Sequence, residues 1–276
     1  MITADYHTHC NFSTDSDSTA NSMVLGAIEK GLTHFCLTDH MDLDYPNTTK
    51  EQPLFEFHPK NYFETLTPLQ ELYKDKLEFS IGIEFGLRPN RTDLNNAMYQ
   101  LLAEYPFDFA LGSIHLLDNE DPYYESYWNG HTSSKNILIN YFNHLLHSIQ
   151  QFDGFDSLGH LDYIIRYIPN FCGTKDYSYK EYKEVIDEIL KLLIQKNKAL
   201  EINTKGLISG LSCFHPKLEI LTHYLELGGT LLTIGSDAHN PNAIATEFKQ
   251  TEELLRSCGV KGYHIYKNHQ PQFIAF

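Results

Sequence analysis

The 276-residue sequence has only one tryptophan and five cysteines. Cys10, Cys36, Cys172, Cys213 and Cys258 are odd in number, and none form a C-x-x-C pair. That pattern argues against a disulfide framework or a zinc ribbon, and the thiols read as buried and free. No apolar run approaches the roughly 18 residues needed to cross a membrane, so no membrane partner is expected. Met1 runs directly into ITADYHTH, with no basic segment and no apolar signal core, so a cytoplasmic protein is expected. There is no Gly/Ser-rich or Pro-rich linker, no repeat of fixed period and no Gly-rich phosphate loop. Basic side chains are also scarce, with 21 Lys and Arg against 36 Asp and Glu and a net charge of −15. Such a surface repels a polyanion, and nucleic acid is not an expected partner. A small anion needs a local positive centre, and bound divalent metals would be one. Three of them would reduce the charge from −15 to −9.

Short apolar runs alternate with helical patterns. The runs Ile2–Tyr6, His34–Thr38, Glu78–Ile83, Phe107–Leu111, Ser157–Gly159, Ala199–Ile202 and Leu231–Ile234 read as strands, with Gly262–Tyr266 as a candidate eighth. Between them, ANSMVLGAIEKG and six later segments place apolar residues at helical spacing, and Gly31 caps the first. Strands alternating with helices imply parallel pairing and right-handed crossovers. Seven or eight such units in this length predict a β/α barrel forming one domain over residues 1–276. A doubly wound open sheet is the rival architecture, but the Gly-rich phosphate loop is missing.

Each predicted strand delivers a ligand-type residue at its C-terminal end. His7 and His9 follow the first, Asp39 and His40 the second, Glu84 the third and His115 the fourth. His160 follows the fifth, Glu201 and Asn203 the sixth, and Asp237 and His239 the seventh. That is the end where barrel enzymes build their active sites. His-x-His on an extended strand puts both rings on one side. With Asp15, the candidate ligands are His7, His9, Asp15, His40, Glu84, His115, His160, Asp237 and His239. Nine are too many for one tetrahedral ion and suit two or three ions with open positions. Imidazole with carboxylate accepts zinc, manganese or iron. Asp39 and Asp162 are candidates to orient histidines from outside, Asp162 acting on His160. Cys10 reads as packed. The other histidines, His215 among them, lie in loops or on helix faces without evident partners, and His144 with His147 reads as a solvated face.

The motifs HTH, TDH, GIE, GSIH, GHLD and SDAH, in this order, resemble those of the polymerase-and-histidinol-phosphatase (PHP) family from His7 to His239. HTHCNFSTD, TDHMD, GHLDYIIRY and the length look like its monofunctional histidinol-phosphate phosphatases. The resemblance implies a distorted seven-stranded TIM-like β/α barrel with a trinuclear metal site at the strand C-termini. It places His7, His9, Glu84 and Asp237 on a first ion. Glu84, as a bridge, would join His115 and His160 on a second, with Asp15, His40 and His239 on a third. Many relatives outside this subgroup have histidine at the position of Asp15. The resemblance also places Arg166 at the substrate phosphate and Asp42, Glu125 and Trp128 near the amine or imidazole. The implied reaction is hydrolysis of L-histidinol phosphate to L-histidinol and phosphate, in histidine biosynthesis.

The residues point to the same chemistry. Metals can ionise a bridging water and clamp phosphoryl oxygens, and that hydroxide would attack phosphorus in line. Arg166 would supply a fork of donors, with Lys205 a second cation. Glu84, Asp237 and Arg166 are therefore the expected catalytic residues. Acidic loops suit a cationic substrate better than a nucleotide. The alternatives are a phosphatase of the same family acting on a nucleotide or phosphotyrosine, and a non-catalytic metal-binding module.

Overall fold

Seven parallel strands pair side by side in the order β1-β2-β4-β5-β6-β7-β8. They are β1 (Ala4–Asp5), β2 (His34–Leu37), β4 (Glu78–Gly86), β5 (Phe109–Ser113), β6 (Ser157–Leu158), β7 (Ala199–Asn203) and β8 (Leu232–Gly235). A short β3 (His40–Met41) continues the path of β2 and pairs with the second half of β4. This computed structural model describes residues 1–46, 54–131 and 133–276. The sheet closes on itself between β1 and β8. Tyr6 donates its backbone N–H to Ile234 at 2.9 Å, Asp237 to His7 at 2.8 Å and His9 to Ala238 at 2.8 Å. The result is a seven-stranded TIM-like barrel, as the alternation of strands and helices predicts.

The strands are buried on both faces because helices wrap the outside, which accounts for their near-continuous apolar runs. The main outer helices are α1 (Ala20–Glu29), α2 (Pro59–Tyr73), α3 (Thr92–Glu104), α4 (Ser134–Gln151) and α5 (Lys183–Gln195). After a short α6 (Lys205–Ile208) come α7 (Leu218–Glu226) and α8 (Phe248–Ser257). In α5 the buried residues Val185, Ile186, Ile189, Leu190 and Leu193 form one apolar stripe, the spacing that marks a helix docked on one face. Thr19 accepts a hydrogen bond from Ser22 N–H at the start of α1, and Gly31, at φ +76°, turns the chain out of it. No described helix is long and apolar enough to cross a membrane.

The predicted eighth strand is real but lies outside the barrel. β9 (Gly262–Lys267) pairs antiparallel with β10 (Gln270–Ala275), making a hairpin beneath the N-terminal ends of the barrel strands. Its turn is tied to the residues that enter β5 and β6. Lys267 Nζ reaches Asp108 at 3.2 Å, and His269 Nδ1 lies 2.7 Å from Asp156. Tyr6 OH, inside the barrel, donates to the Tyr266 carbonyl at 3.1 Å. Side chains and hairpin thus fill the lower end of the barrel and leave the upper end to the loops.

Candidate metal centre

All nine predicted ligands converge above the strand C-termini, and Glu84 stands at their centre. Its two oxygens face different groups. Oε1 lies 3.3 Å from His115 Nε2 and 3.2 Å from His160 Nε2. Oε2 lies 3.3 Å from His7 Nε2, 3.5 Å from His9 Nε2 and 3.0 Å from His40 Nδ1. A carboxylate so placed can give one oxygen to each of two ions. Asp237 Oδ1 lies 4.0 Å from His7 Nε2 and 3.7 Å from His9 Nε2. Asp15 Oδ2 stands 3.0 Å from His239 Nε2 and 3.8 Å from His40 Nε2. Tetrahedral sites with ligand bonds of ~2.0–2.1 Å have donor-to-donor edges of roughly 3.3 Å, so these atoms stand close enough to share ions. Three rings serve more than one grouping: His7 meets His9 and Glu84 but also His160 and Asp237, His9 also meets His40 and His239, and His40 also meets Glu84 and His115.

The donor atoms themselves show that cations fit here. His7 Nε2, His9 Nε2, Glu84 Oε2 and His239 Nε2 are buried and have no hydrogen-bond partner. Orphaned buried polar atoms are costly, and four aimed at one place indicate a ligand. The opposite ring nitrogens are held. Glu201 Oε1 lies 2.6 Å from His7 Nδ1, and Asp42 Oδ1 lies 2.8 Å from His115 Nδ1. Ser13 Oγ lies 3.1 Å from His9 Nδ1 and donates to Asp39 at 2.7 Å. The Asp237 carbonyl lies 3.0 Å from His239 Nδ1. Such outer partners fix each ring's tautomer and turn its Nε2 lone pair inward.

Charge follows the same plan. Burial drives His9 well below its ordinary range and His160 down to about 4, so both rings are neutral donors near pH 7. Burial opposes the charged form of His7 too, but the carboxylates of Glu84 and Glu201 outweigh it and draw a proton onto the ring. A cation is favoured at the same spot for the same reason. Glu84 and Asp237 are held ionised despite burial, Glu84 by the histidines and Asp237 by Lys205, Arg166 and His7. Asp237 adopts left-handed backbone (φ +55°), a strained conformation for a non-glycine residue, locked by its N–H bond to His7. Gly235 makes the packing possible, since a Cβ there would lie 2.3 Å from His7 Cβ and 2.5 Å from Glu201 Oε1.

The candidate ligands Asp15, His40, His115, His160, Asp237 and His239 line a cavity of about 510 Å³. Arg166 and Lys205 line one side, and Tyr45, Phe55, Tyr123, Tyr124, Tyr163 and Tyr167 form the rest of the wall. Arg166 donates from Nη1 to Asp237 Oδ2 at 2.9 Å, and Lys205 Nζ donates to the Asp237 carbonyl at 2.9 Å.

Several expectations change. Trp128 is buried away from the cavity, its indole N–H on the Pro122 carbonyl at 2.8 Å, and Glu125 is exposed on the same 3-10 turn. From that loop Asp121, Tyr123 and Tyr124 line the cavity instead. Asp42 does line it, but its Oδ1 is committed to His115. Asp162 meets His215, Tyr177 and the backbone of Lys217, with no bond to His160. Asp39 orients His9 through Ser13 and also accepts from the packed Cys10. Glu201, which the strand-end pattern offers but the nine candidate ligands omit, backs His7, and His215, read as a loop histidine without a partner, meets Arg166. Glu201 had a signal, its place at a strand end, whereas His215 lies in a loop without one. His144 is partly buried, although its helix face reads as solvated.

Residues 5–205 match the PHP domain. The chain belongs to the PHP family. This PHP protein is 31% identical over 265 residues to a histidinol-phosphatase of Lactococcus lactis subsp. lactis, covering 94% of this chain and 92% of the relative. It is 32% identical over 257 residues to a probable histidinol-phosphatase of Clostridium acetobutylicum, covering 93% and 94%. Among solved structures, histidinol phosphate phosphatase from L. lactis, crystallised with zinc, L-histidinol and phosphate, superposes with a TM-score of 0.86. The identity is 28%, and 98% of each chain is covered. A putative histidinol phosphatase from Listeria monocytogenes shares the fold, at TM-score 0.75 and 22% identity over 90% of this PHP chain and 99% of that one.

Proposed function

We propose that this protein is a histidinol-phosphatase, a phosphoric monoester hydrolase that converts L-histidinol phosphate to L-histidinol and inorganic phosphate. The activity is carried by one barrel domain over residues 1–276. The observation that carries the reading is the central position of Glu84, one oxygen toward His115 and His160 and the other toward His7, His9 and His40, beside a cavity that presents Arg166. The L. lactis structure, with zinc, L-histidinol and phosphate in a barrel of the same shape, supports it.

Three divalent ions, zinc, manganese or iron, are assigned to the nine ligands. His7, His9, Glu84 and Asp237 would hold the first, Glu84, His115 and His160 the second, and Asp15, His40 and His239 the third. When bound, divalent metals ionise water near neutral pH and withdraw charge from phosphoryl oxygens. The side chains do the rest. Arg166, a fixed cation, has N–H groups left for a phosphate after its bond to Asp237. Lys205 adds a second positive charge at the same wall. Asp237 is held ionised, so it serves as an acceptor and not as a proton donor. Acidic and aromatic side chains, Asp42 and Asp121 with Tyr45, Tyr123 and Tyr124, suit the cationic end of histidinol phosphate.

Phosphate release from L-histidinol phosphate, a nucleoside monophosphate and a phosphotyrosine peptide tests this, with added Mn²⁺ or Zn²⁺ and again after chelation. Strong preference for histidinol phosphate, lost on chelation and restored by metal, is the expected result. Turnover of another ester alone would keep the metal chemistry and discard the substrate. A metal-loaded protein inert on all three would be a binding module.

A further inference from the structure

We propose that His215 and Asp162 are a positioning pair for Arg166. In this arrangement His215 is a neutral ring carrying its proton on Nδ1, and it holds the guanidinium in register with the phosphate position. The inference rests on the phosphatase reading above, in which Arg166 meets the phosphoryl group.

The hydrogen-bond directions follow from the chemistry of the partners. Arg166 Nε lies 2.9 Å from His215 Nε2, and a guanidinium can only donate. His215 Nε2 is therefore the acceptor and carries no proton. The ring's other nitrogen lies 2.5 Å from Asp162 Oδ1, an ionised carboxylate that can only accept. Nδ1 thus carries the proton. An imidazolium would set an N–H against the N–H of Arg166, so the pair works only with the ring neutral. Burial, which lowers the basicity of His215, favours that form.

The second oxygen of Asp162 is also in use. It accepts from Tyr177 OH at 2.8 Å and from the Lys217 N–H at 3.1 Å. Asp162 and His215 are both fully buried. His215 is further locked to the end of β7, for its backbone exchanges two 2.8 Å hydrogen bonds with Asn203. Asn203 Oδ1 in turn accepts from Arg166 Nη2 at 3.2 Å. Two of the three acceptors that grip the guanidinium thus sit on one rigid bridge, and Asp237 is the third. Three of the five guanidinium N–H groups are held this way, and the Tyr167 hydroxyl stands beside the same guanidinium. Tyr163 lies beneath, its ring centroid 5.1 Å from the guanidinium carbon. A long, flexible side chain is thereby reduced to one orientation before substrate arrives, which is how prepositioned groups lower the cost of binding.

The test is a set of double-mutant cycles on the metal-loaded enzyme. Asp162→Asn, His215→Gln and His215→Phe are each made with Arg166 present and with Arg166→Gln. The readouts are kcat and KM for L-histidinol phosphate and the inhibition constant of inorganic phosphate. An amide at Asp162 can donate to His215 and reverse the tautomer, placing an N–H against Arg166. Asp162→Asn and His215→Phe are expected to lower kcat/KM roughly 10–100-fold, the usual cost of losing an orienting partner. KM and the phosphate inhibition constant should rise with it. A loss of folded protein would instead lower kcat at unchanged KM. His215→Gln keeps an acceptor for Arg166 and should retain most activity. In the Arg166→Gln background all three changes should have little further effect, because the residue they position is gone. Losses that persist in that background, or that leave KM and phosphate inhibition unmoved, overturn the positioning role. Should Asp162→Asn fail to fold, the contrast between His215→Gln and His215→Phe decides alone, and equal losses overturn it. Failure of the wild-type enzyme to release phosphate from any ester would overturn the phosphatase reading and this inference with it.

Discussion

The two ends of the barrel are built from the same strands but treat polar atoms in opposite ways. At the N-terminal end the buried carboxylates of Asp108 and Asp156 are paired. Asp108 takes Ile81 N–H at 3.1 Å and Lys267 Nζ, and Asp156 takes Ala110 N–H at 2.9 Å and His269. At the C-terminal end His7 Nε2, His9 Nε2, Glu84 Oε2 and His239 Nε2 make no hydrogen bond among the described residues and face only one another and the other candidate ligands. One end spends its polar groups on holding the hairpin in place. The other keeps them free for ions, and outer residues such as Glu201 and Asp42 fix their aim. A buried polar atom thus speaks for stability where it is satisfied and for ligand binding where it is not.

Substitutions at the two ends should separate these roles, and the largest effect belongs to the centre. Glu84→Gln keeps the shape and removes the charge that faces both ligand groups. We expect kcat/KM to fall by more than about 100-fold, beyond the loss typical of an outer partner, with lower metal content by elemental analysis. Glu201→Gln should act one layer out. Its bond to His7 Nδ1 weakens while His7 stays in place, so metal affinity or activity should drop roughly 10–100-fold. Metal titration against activity would show it as a rightward shift. If Glu201→Gln proved as damaging as Glu84→Gln, the division between ligand and orienting residue would collapse.

The lower end should respond in stability alone. Asp108→Ala leaves the Ile81 N–H and Lys267 without their carboxylate, at a cost of about 1–3 kcal/mol. Denaturant unfolding should register that loss, while kcat/KM per folded, metal-loaded molecule stays unchanged. The smallest effect concerns pH. The Asp156 carboxylate raises His269 above its ordinary value of 6.5. The ring gains its partner only on folding, so the contribution is full below pH 6.5 and fades as pH rises through the elevated folded value. His269→Gln should therefore lower the melting temperature at pH 6 by more than at pH 9. The gap should be modest, since partly exposed pairs contribute up to about 1 kcal/mol.

This contrast also explains what could be read from the sequence. The convergence at the upper end was legible because each candidate ligand except Asp15 sits at a fixed place relative to a strand, and HTH, TDH and SDAH repeat that relation along the chain. The seven barrel strands were legible for the same reason, as buried apolar runs between amphipathic helices. The candidate eighth strand formed, but its place in a hairpin outside the barrel was not legible, because GYHIY looks like any barrel strand and its partner QPQFIA is mostly exposed and lacks an apolar pattern. Loop residues had no periodicity to place them, so Glu125 and Trp128 were expected where Asp121 and Tyr124 stand. His215 was invisible for a different reason. Its partners Asp162 and Arg166 lie about fifty positions earlier, and only the closed barrel brings them together.

The seam between β1 and β8 has a consequence for the order of events during synthesis. His7 and Asp237 are hydrogen-bonded neighbours, yet they stand 230 positions apart in the chain. A ribosome releases the first ligand at the outset and the last only when the barrel is nearly complete. Until then the early histidines have no assembled site to join, and an ion held by HTH alone has few partners. A site that needs both edges would therefore be complete only at the end of folding, when joining the two distant edges carries its full entropic cost. Ions that bind the joined edges and not the open chain draw the equilibrium toward closure.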